Sequence, residues 1–310
     1  MFPVFAGEAK LEYAAFAAAR ERGARVTELE QGASVGYLLV HNPTPLPLLL
    51  YEGEELLGAQ QNRTIDVSVL VAAGAKTRIP VSCVEAGRWD ARRHRDEFRR
   101  APQAAYPALR RAKAAQARER ARAGMDARAD QPAVWSEIAS KSARLGAPSP
   151  TGAIHDVYER RRPQLHSILA RIRLRDGQTG MVAAIGDRIA VLDWVSRPEV
   201  FATLHGPLVQ GYALDALEAP SAEMSRVPSA AAVEGFLALA LDNAPAPAPA
   251  AGLGSELRFA RNGAEGTGLA HAGELVALTA FPSDGSPRPQ PPARVAGIAR
   301  PSRRRLPDRP

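Results

Sequence analysis

Apolar and polar residues alternate between residues 35 and 85, and this pattern predicts a β-rich N-terminal region. A period of two places every second side chain on one face of a strand, so one face is buried and the other is polar. Turn residues separate the segments that show it. The predicted strands are residues 35–40, 46–51, 63–71 and 76–85.

Later segments alternate between helical periodicity and short apolar runs. The predicted helices are residues 8–22, a basic segment 92–128 with early Pro breaks, 130–146, one starting at 149–151, 198–217 and 230–241. The predicted later strands are the hairpin 178–185 with 188–193, and residues 257–260, 268–271 and 275–281. Asp130 before Pro132 is a typical helix start, because Asp caps well and Pro suits the first turn.

This order of elements predicts an α+β fold and not a regular βαβ alternation. We expect a β-rich N-terminal half with an antiparallel or mixed sheet, a helical middle segment at about residues 90–175, and short C-terminal strands. A single domain over residues 8–281 fits this order. Alternating Ala and Pro at 244–250 predict an extended linker, and the Pro-, Ser- and Arg-rich residues 282–310 predict a disordered tail.

Composition indicates a cytoplasmic protein with a substantial core. The 310 residues are 45% hydrophobic, and the heavy use of Ala, Arg and Pro is typical of a GC-rich, bacterial genome. No apolar run approaches the roughly 20 residues that cross a bilayer. The N-terminus lacks the pattern of a signal peptide. A single cysteine excludes an internal disulfide framework.

The net charge of +7 is concentrated in one segment. Residues 88–128 hold 13 basic and 5 acidic side chains, so this range alone carries +8. Its residues are mostly good helix formers, which is typical of a solvated helix. Its helical part, residues 110–122, has no aromatic residues interleaved for base stacking, so the charge does not favour nucleic-acid binding.

The densest polar cluster follows the first predicted strands and indicates a ligand site. Consecutive acids, amides and an arginine are followed closely by the single cysteine, a further acid, an arginine and a tryptophan. Such directional hydrogen-bonding groups suit a polar ligand, although they do not identify a reaction. The candidate ligand-binding residues are Gln60, Gln61, Asn62, Arg63, Arg88 and Trp89, and the candidate catalytic residues are Glu85, Glu54 and Cys83.

Strand pairing brings Arg63 close to the end of the strand 76–85. Matching the apolar faces requires odd-numbered residues to face odd-numbered ones, since a slip of one residue sets valines against polar groups. A three-residue loop 72–74, with Gly74 left-handed, places Cys83 opposite Arg63. A five-residue loop instead pairs Arg63 with Glu85.

Two interpretations remain open for the cysteine and for the charged residues of the polar cluster. Cys83 is either a small buried apolar residue or a thiol whose pKa is lowered by Arg63. Arg63 and Glu85 are either a structural ion pair or part of the site. The carboxylates at 52, 54 and 55 are either an acid–base or metal cluster or solvated groups of a turn.

The amides and the tryptophan also have two interpretations. Gln60, Gln61 and Asn62 bind either a ligand or neighbouring loops, and Trp89 either anchors a core edge or stacks on a ligand. The six histidines show no paired ligand spacing, and one cysteine cannot build a structural zinc site. The sequence thus indicates no metal site and identifies no cofactor.

The chain resembles the ARPP domain family, named for ADP-ribosylglycohydrolase and rhodanese-phosphatase-superfamily-associated proteins. The resemblance rests on the block 48–63, on Ser68-Val-Leu-Val, and on the block 79–89. Weaker similarities are Val134-Trp135, Ser149-Pro-Thr151, Gly177-Gln-Thr-Gly180 and Leu192-Asp193. The family typically reads Gly-Ala-Lys-Gln-Asn-Arg, whereas Gln60 stands here in place of the lysine. If that lysine were catalytic, this chain would be impaired.

The resemblance implies a nucleotide or ADP-ribose-like ligand in ADP-ribose- or NAD-linked metabolism. It covers about residues 8–281, and it implies association with a pathway and not a mechanism. Our first hypothesis is binding of such a ligand, with Glu85 or Glu54 as acid–base groups in an enzyme. The alternatives are a protein-interaction domain that uses the basic segment 92–128 and, third, nucleic-acid binding; none involves a membrane.

Overall fold

The computed structural model has the predicted α+β class. It describes residues 1–125, 128–220, 225–242, 247–261 and 263–283. Its N-terminal part is β-rich, helices dominate the middle, and strands close the C-terminal part. Residues 244–246 of the predicted linker and 284–310 of the predicted tail lie outside the described residues.

The described strands fall into an N-terminal and a C-terminal group. The N-terminal strands are β1 (Phe2–Val4), β2 (Ala14–Ala15), β3 (Arg25–Thr27), β4 (Tyr37–His41), β5 (Leu48–Leu50), β6 (Glu54–Gly58), β7 (Arg63–Ile65), β8 (Val69–Val71), β9 (Lys76–Cys83) and β10 (Phe98–Ala104). The C-terminal strands are β11 (Gly180–Ile185), β12 (Arg188–Val195), β13 (Ala248–Pro249), β14 (Ser255–Arg261), β15 (Ala264–His271) and β16 (Glu274–Pro282).

The helices lie mainly between these two groups of strands. They are α1 (Phe16–Glu21), α2 (Pro107–Arg122), α3 (Gln131–Arg144), α4 (Ile154–Arg160), α5 (Arg162–Leu169), α6 (Pro198–Ala216) and α7 (Ala230–Leu241), with one 3₁₀ turn at Ala91–Arg93. Asp130 caps α3 as predicted, because its side chain accepts a hydrogen bond from the Ala133 amide at 3.2 Å.

Three sheets organise the described chain. An antiparallel six-stranded sheet has the order β10-β6-β7-β9-β4-β3, and a seven-stranded one has the order β1-β11-β12-β16-β15-β14-β13. A third, small sheet has the order β2-β5-β8, and its residues contribute to the cores of both larger sheets. One apolar core lies on a face of the six-stranded sheet beneath α1, and α6 packs against the seven-stranded sheet. In a third core, the helices from α2 through α6 pack together beside the end of β9.

Two helix predictions need correction. Only Phe16–Glu21 is helical within the predicted helix 8–22, because Ala14 and Ala15 pair with β5 in parallel. The predicted helical segment 92–128 contains β10, which pairs with β6. Pro102 is tolerated there because β10 is an edge strand, where a missing backbone N–H costs little.

The hairpin register is confirmed, although its first strand is split. Arg63 lies opposite Cys83, as the three-residue loop requires, and Gly74 has a φ of 69°. The alternative pairing of Arg63 with Glu85 is wrong. The predicted strand 63–71 forms two strands, since β7 pairs in the six-stranded sheet and β8 pairs with β5. Strand β6 was not predicted.

None of the helices within the described ranges is both long and apolar enough to cross a membrane.

Candidate ligand-binding site

Arg63 lies at the centre of the predicted site and is fully buried. Its Nη1 donates to the Gln61 carbonyl at 2.8 Å and to the Gln61 side-chain oxygen at 3.0 Å. Its Nε and Nη2 have no hydrogen-bond partner among the described residues. These two nitrogens form the edge of a guanidinium that binds a carboxylate or phosphate in a bidentate manner.

Glu28, just after β3, is the carboxylate nearest to that edge. Its Oε1 lies 3.8 Å from Arg63 Nη2, and its side chain is buried. Neither oxygen meets the geometry of a hydrogen bond within the part of the chain that the structure describes. Burial raises the pKa of Glu28, and the charge of Arg63 opposes this rise. Glu28 was not predicted, because it is distant from the polar cluster in sequence.

Glu85 pairs with Arg88 and not with Arg63. Arg88 Nη2 lies 2.6 Å from Glu85 Oε2, and the Thr151 hydroxyl donates to Glu85 Oε1 at 2.9 Å. Burial alone would raise the pKa of Glu85, but hydrogen bonds from Arg88, the Asn62 amide and Thr151 lower it below its usual value. Glu85 is therefore an ionised acceptor that orients its neighbours.

A loop of residues 86–97, here called the covering loop, closes the site. Arg88 Nη1 donates to the Ala59 carbonyl at 2.8 Å, and the Asp90 amide donates to the Gln60 carbonyl at 3.1 Å. The Gln60 side chain contacts His94 Nδ1 at 3.1 Å. Trp89 is 48% exposed, and its ring centre lies 5.7 Å from the Arg63 guanidinium carbon.

The turn that carries the three amides is strained. Ala59 has a φ of 42° and is fully buried, although a side chain at a positive φ is disfavoured. Asn62 stabilises the turn because its side-chain oxygen accepts from the Gly58 amide at 3.1 Å and from Arg88 at 2.9 Å. Strain of this kind often marks a functional site.

Cys83 lies beside Arg63 but is fully buried. Burial raises the pKa of its thiol, and the charge of Arg63 only partly opposes this. Such a thiol stays protonated, which favours the small apolar residue over the nucleophile. The Gln131 side chain covers the backbone here, accepting from the Cys83 amide at 2.9 Å and donating to the Cys83 carbonyl at 2.7 Å.

Glu54 lies away from Arg63, in structural contacts. Its Oε1 accepts from Arg100 at 2.6 Å, and its Oε2 accepts from the Tyr51 amide at 2.8 Å. The neighbouring Glu52 accepts from Arg110 at 2.8 Å. Both carboxylates fix the start of β6 against other elements, so the acid–base role considered for Glu54 finds no support in its contacts.

Arg110 forms a buried network that sequence reasoning missed. Its Nη1 donates to Asp193 Oδ2 at 2.9 Å, and Tyr51, Tyr212 and Thr279 donate hydroxyl hydrogen bonds to the same carboxylate. Burial alone would raise the pKa of Asp193, but Arg110 and the hydroxyls of Tyr212 and Tyr51 lower it. The only sequence signal was the weak Leu192-Asp193 similarity.

A second polar row lies on the other face of the six-stranded sheet. Glu55 and Thr64 are cross-strand partners, so their side chains share a face. Gln103 Nε2 donates to Glu55 Oε2 at 2.7 Å and contacts His155 Nδ1 on α4 at 2.9 Å. Burial raises the pKa of Glu55 to about 8, and the nearby Glu85 and Asp156 charges add to this rise.

The structure thus brings Gln60, Gln61, Arg63, Glu85 and Trp89 together, with Asn62, Cys83 and Arg88, and leaves Glu54 apart. It adds partners from distant segments: Glu28, His94 and Thr151. Among the described residues, no group of three or more His, Cys, Asp or Glu side chains is arranged to hold a metal ion.

Comparison with protein-family models matches residues 1–281 to ARPP-1, the ARG and Rhodanese-Phosphatase-superfamily-associated Protein domain. No curated protein matches the chain significantly, and no solved structure does so either.

Proposed function

Because the chain belongs to the ARPP-1 family, we propose that it binds a small anionic, nucleotide-like ligand at the Arg63 site. The family description records association with ADP-ribosylglycohydrolase and rhodanese-phosphatase proteins. That association makes ADP-ribose and related nucleotides the first ligands to test.

The free edge of Arg63 carries this proposal. A buried guanidinium normally satisfies its donors, because an unpaired buried polar group is costly. Arg63 leaves Nε and Nη2 without hydrogen-bond partners in the described chain, and only the Glu28 carboxylate, 3.8 Å from Nη2, balances their charge. These are the two donors that match the oxygens of one phosphate, so a bound phosphoryl group would satisfy both.

The charges around Arg63 also favour an anion. Arg63 and Arg88 face one ionised carboxylate, Glu85, while burial raises the pKa of Glu28. If Glu28 takes up a proton when the ligand arrives, the site becomes net positive. A protonated Glu28 could then donate a hydrogen bond to a phosphate oxygen.

Trp89 supplies a surface for the rest of the ligand. Its ring is half exposed and lies above Arg63, so it does not anchor a core edge. An aromatic ring over a cation suits a planar base next to a phosphate, since bases stack on such rings. The covering loop must open for entry, because Arg63 itself is inaccessible to solvent.

The structure gives less support to the alternatives that use the basic segment. Many of its cations are paired inside the protein: Arg100 with Glu54, Arg110 with Asp193, Lys113 with Asp66, and Arg111 and Arg118 with Glu265. These contacts use much of the charge that an acidic partner or a nucleic acid would need.

Binding is tested by thermal shift and calorimetry with ADP-ribose, AMP and inorganic phosphate. We expect Arg63→Lys, which keeps the charge but loses the bidentate fork, to weaken binding about tenfold or more. Trp89→Ala should weaken binding of the two nucleotides about tenfold and leave phosphate unchanged, because only a base stacks.

Arg92→Gln is the matched control, since its side chain is 93% exposed and pairs only with Asp90 among the described residues. It should bind like the wild type. Equal affinity of Arg63→Lys and wild type, or no binding of any of the three ligands, would contradict the proposal.

A further inference from the structure

The polar row formed by Gln103, Glu55 and Thr64 contains three buried polar atoms that form no hydrogen bond with the described residues. Within the described residues, Glu55 Oε1, Thr64 Oγ1 and Gln103 Oε1 all lack hydrogen-bond partners. The three side chains are at most 1% exposed. Each such atom costs free energy unless something pairs with it, so three in one place indicate an occupant.

These atoms lie close together. Glu55 and Thr64 are partners across β6 and β7, which places their side chains next to each other on one face. Gln103 Nε2 is bonded to the other oxygen of Glu55, so the oxygen of the same Gln103 amide lies near that carboxylate. The row lies on the opposite face of the sheet from Arg63, since Arg63 and Thr64 are successive residues of a strand.

The surroundings disfavour an anion, and the row offers a cation no ionised partner, because the pKa of Glu55 is about 8. No Lys or Arg of the described chain forms an ion pair with Glu55, and the charged groups that act on it are the carboxylates of Glu85 and Asp156. An anion would be repelled by both. Gln103 holds Glu55 by a single hydrogen bond, and His155 caps the row from α4; burial and the Arg99 and Arg162 charges lower its pKa, which Asp156 and Glu85 oppose.

We propose that Glu55, Thr64 and Gln103 form a second binding site, which takes an uncharged group that both accepts and donates hydrogen bonds, such as a carboxamide. Un-ionised Glu55 and the Thr64 hydroxyl donate to the carbonyl oxygen of this group. Gln103 Oε1 accepts a hydrogen bond from its N–H. His155 is the side chain that must move aside for entry.

Acetamide, acetate and methylammonium test the charge and the donor pattern, because acetate has the size of acetamide and methylammonium is smaller, so neither ion is excluded by its size. Binding is followed by the shift of the Gln103 side-chain NH₂ resonance in NMR titrations at pH 6 and pH 9. Acetamide should bind and the two ions should not. Its affinity should fall about tenfold at pH 9, because Glu55 then loses the proton that it donates.

Two variants at Glu55 separate the donor from the charge. Glu55→Gln keeps a donor at every pH, so it should bind acetamide with no loss at pH 9. Glu55→Ala removes the donor and should abolish binding, and Thr64→Val, which removes one hydrogen bond, should weaken it about tenfold. Glu119→Gln, at an exposed position of α2, should bind acetamide like the wild type.

Three results would contradict the proposal of this second site. They are binding of methylammonium that strengthens with pH, acetamide affinity that is equal in wild type and Thr64→Val, and an infrared spectrum in which Glu55 is a carboxylate at pH 6. If Glu55→Ala fails to fold, acetamide binding by Glu55→Gln and Thr64→Val still tests whether the site exists.

Discussion

At the scale of single residues, Glu55 makes stability depend on pH. Its pKa rises from 4.5 in the unfolded chain to about 8 in the folded one. Between these values the folded state binds more protons than the unfolded state, so the free energy of unfolding falls as pH rises. The contribution of Glu55 to the free energy of unfolding is fully present below pH 4.5 and is lost by about pH 8.

We therefore expect Glu55→Gln to flatten this dependence. A shift of this size corresponds to a few kcal/mol, so the variant should gain about that much relative to wild type between pH 5 and pH 8. Urea unfolding at four pH values measures the slope. Glu119→Gln, at an exposed position of α2, should leave the slope unchanged. A parallel slope in Glu55→Gln and wild type would show that Glu55 titrates normally.

Single residues also show what the sequence could and could not predict about the site. Strand alternation limited Arg63 to two registers, opposite Cys83 or opposite Glu85, and the first is confirmed. Glu28, His94 and Thr151 were not predicted, since tertiary contacts bring them to the site and no local period encodes those contacts. The pairing of Glu85 depended on Arg88, three residues along, and not on the strand register.

At the scale of elements, α3 completes the edge of β9. Strand β4 pairs with β9 only as far as Pro80, and the Gln131 amide at the start of α3 then pairs with both backbone groups of Cys83. A side-chain amide has the same donor and acceptor as a peptide, so it continues the ladder by one residue.

Removing this amide should loosen the strand end that holds the site. Gln131→Ala leaves two backbone groups unpaired and should cost about 2 kcal/mol of unfolding free energy. Hydrogen exchange should then be faster at the Cys83 amide. Asp130→Ala is the matched control: it removes only the helix cap, should cost about 1 kcal/mol, and should leave Cys83 exchange unchanged. Equal exchange at Cys83 in both variants would contradict the role of Gln131.

Elements with strong local periodicity were predicted, and those set by pairing were not. The starts of α3 and α6 and the hairpin of β11 and β12 follow caps, prolines and turn residues. Strand β10 was interpreted as helix because its residues are basic and lie before a real helix. Pairing with β6 makes this segment a strand. Strand β6 was not predicted, because its sequence is a run of acids and leucines without clear alternation.

At the scale of the whole molecule, two ion pairs of one arginine join the two β-rich regions. Arg110 of α2 contacts Glu52 before β6 and Asp193 in β12. Asp193 also accepts from Tyr51, Tyr212 and Thr279, so four segments that are distant in sequence meet at one carboxylate. Removal of one partner leaves an uncompensated charge in the interior.

Arg110→Met should therefore be among the most damaging substitutions. We expect a loss of about 3–5 kcal/mol in unfolding free energy, because Asp193 and Glu52 then remain buried without a cation. Urea unfolding measures it. Asp96→Ala, which breaks the exposed pair with Arg93, should cost about 1 kcal/mol or less. A loss below 1 kcal/mol for Arg110→Met would show that the network is dispensable.

The α+β class was predictable, but the assembly of three sheets was not. The class follows from the order of strand and helix patterns along the chain. The split of residues 63–71 between two sheets depends on which partner each half finds. That choice is made by contacts with β5 and β9, which single-segment patterns do not contain.

The position of β16 has a consequence for synthesis of the chain. It lies between β12 and β15, so the edge of β12 has no partner until residues 274–282 leave the ribosome. Thr279, which completes the hydrogen bonds of Asp193, arrives in the same segment. The nascent chain must therefore carry an open, apolar strand edge while residues 196–282 are synthesised, which is the situation in which chaperones bind and truncated products aggregate.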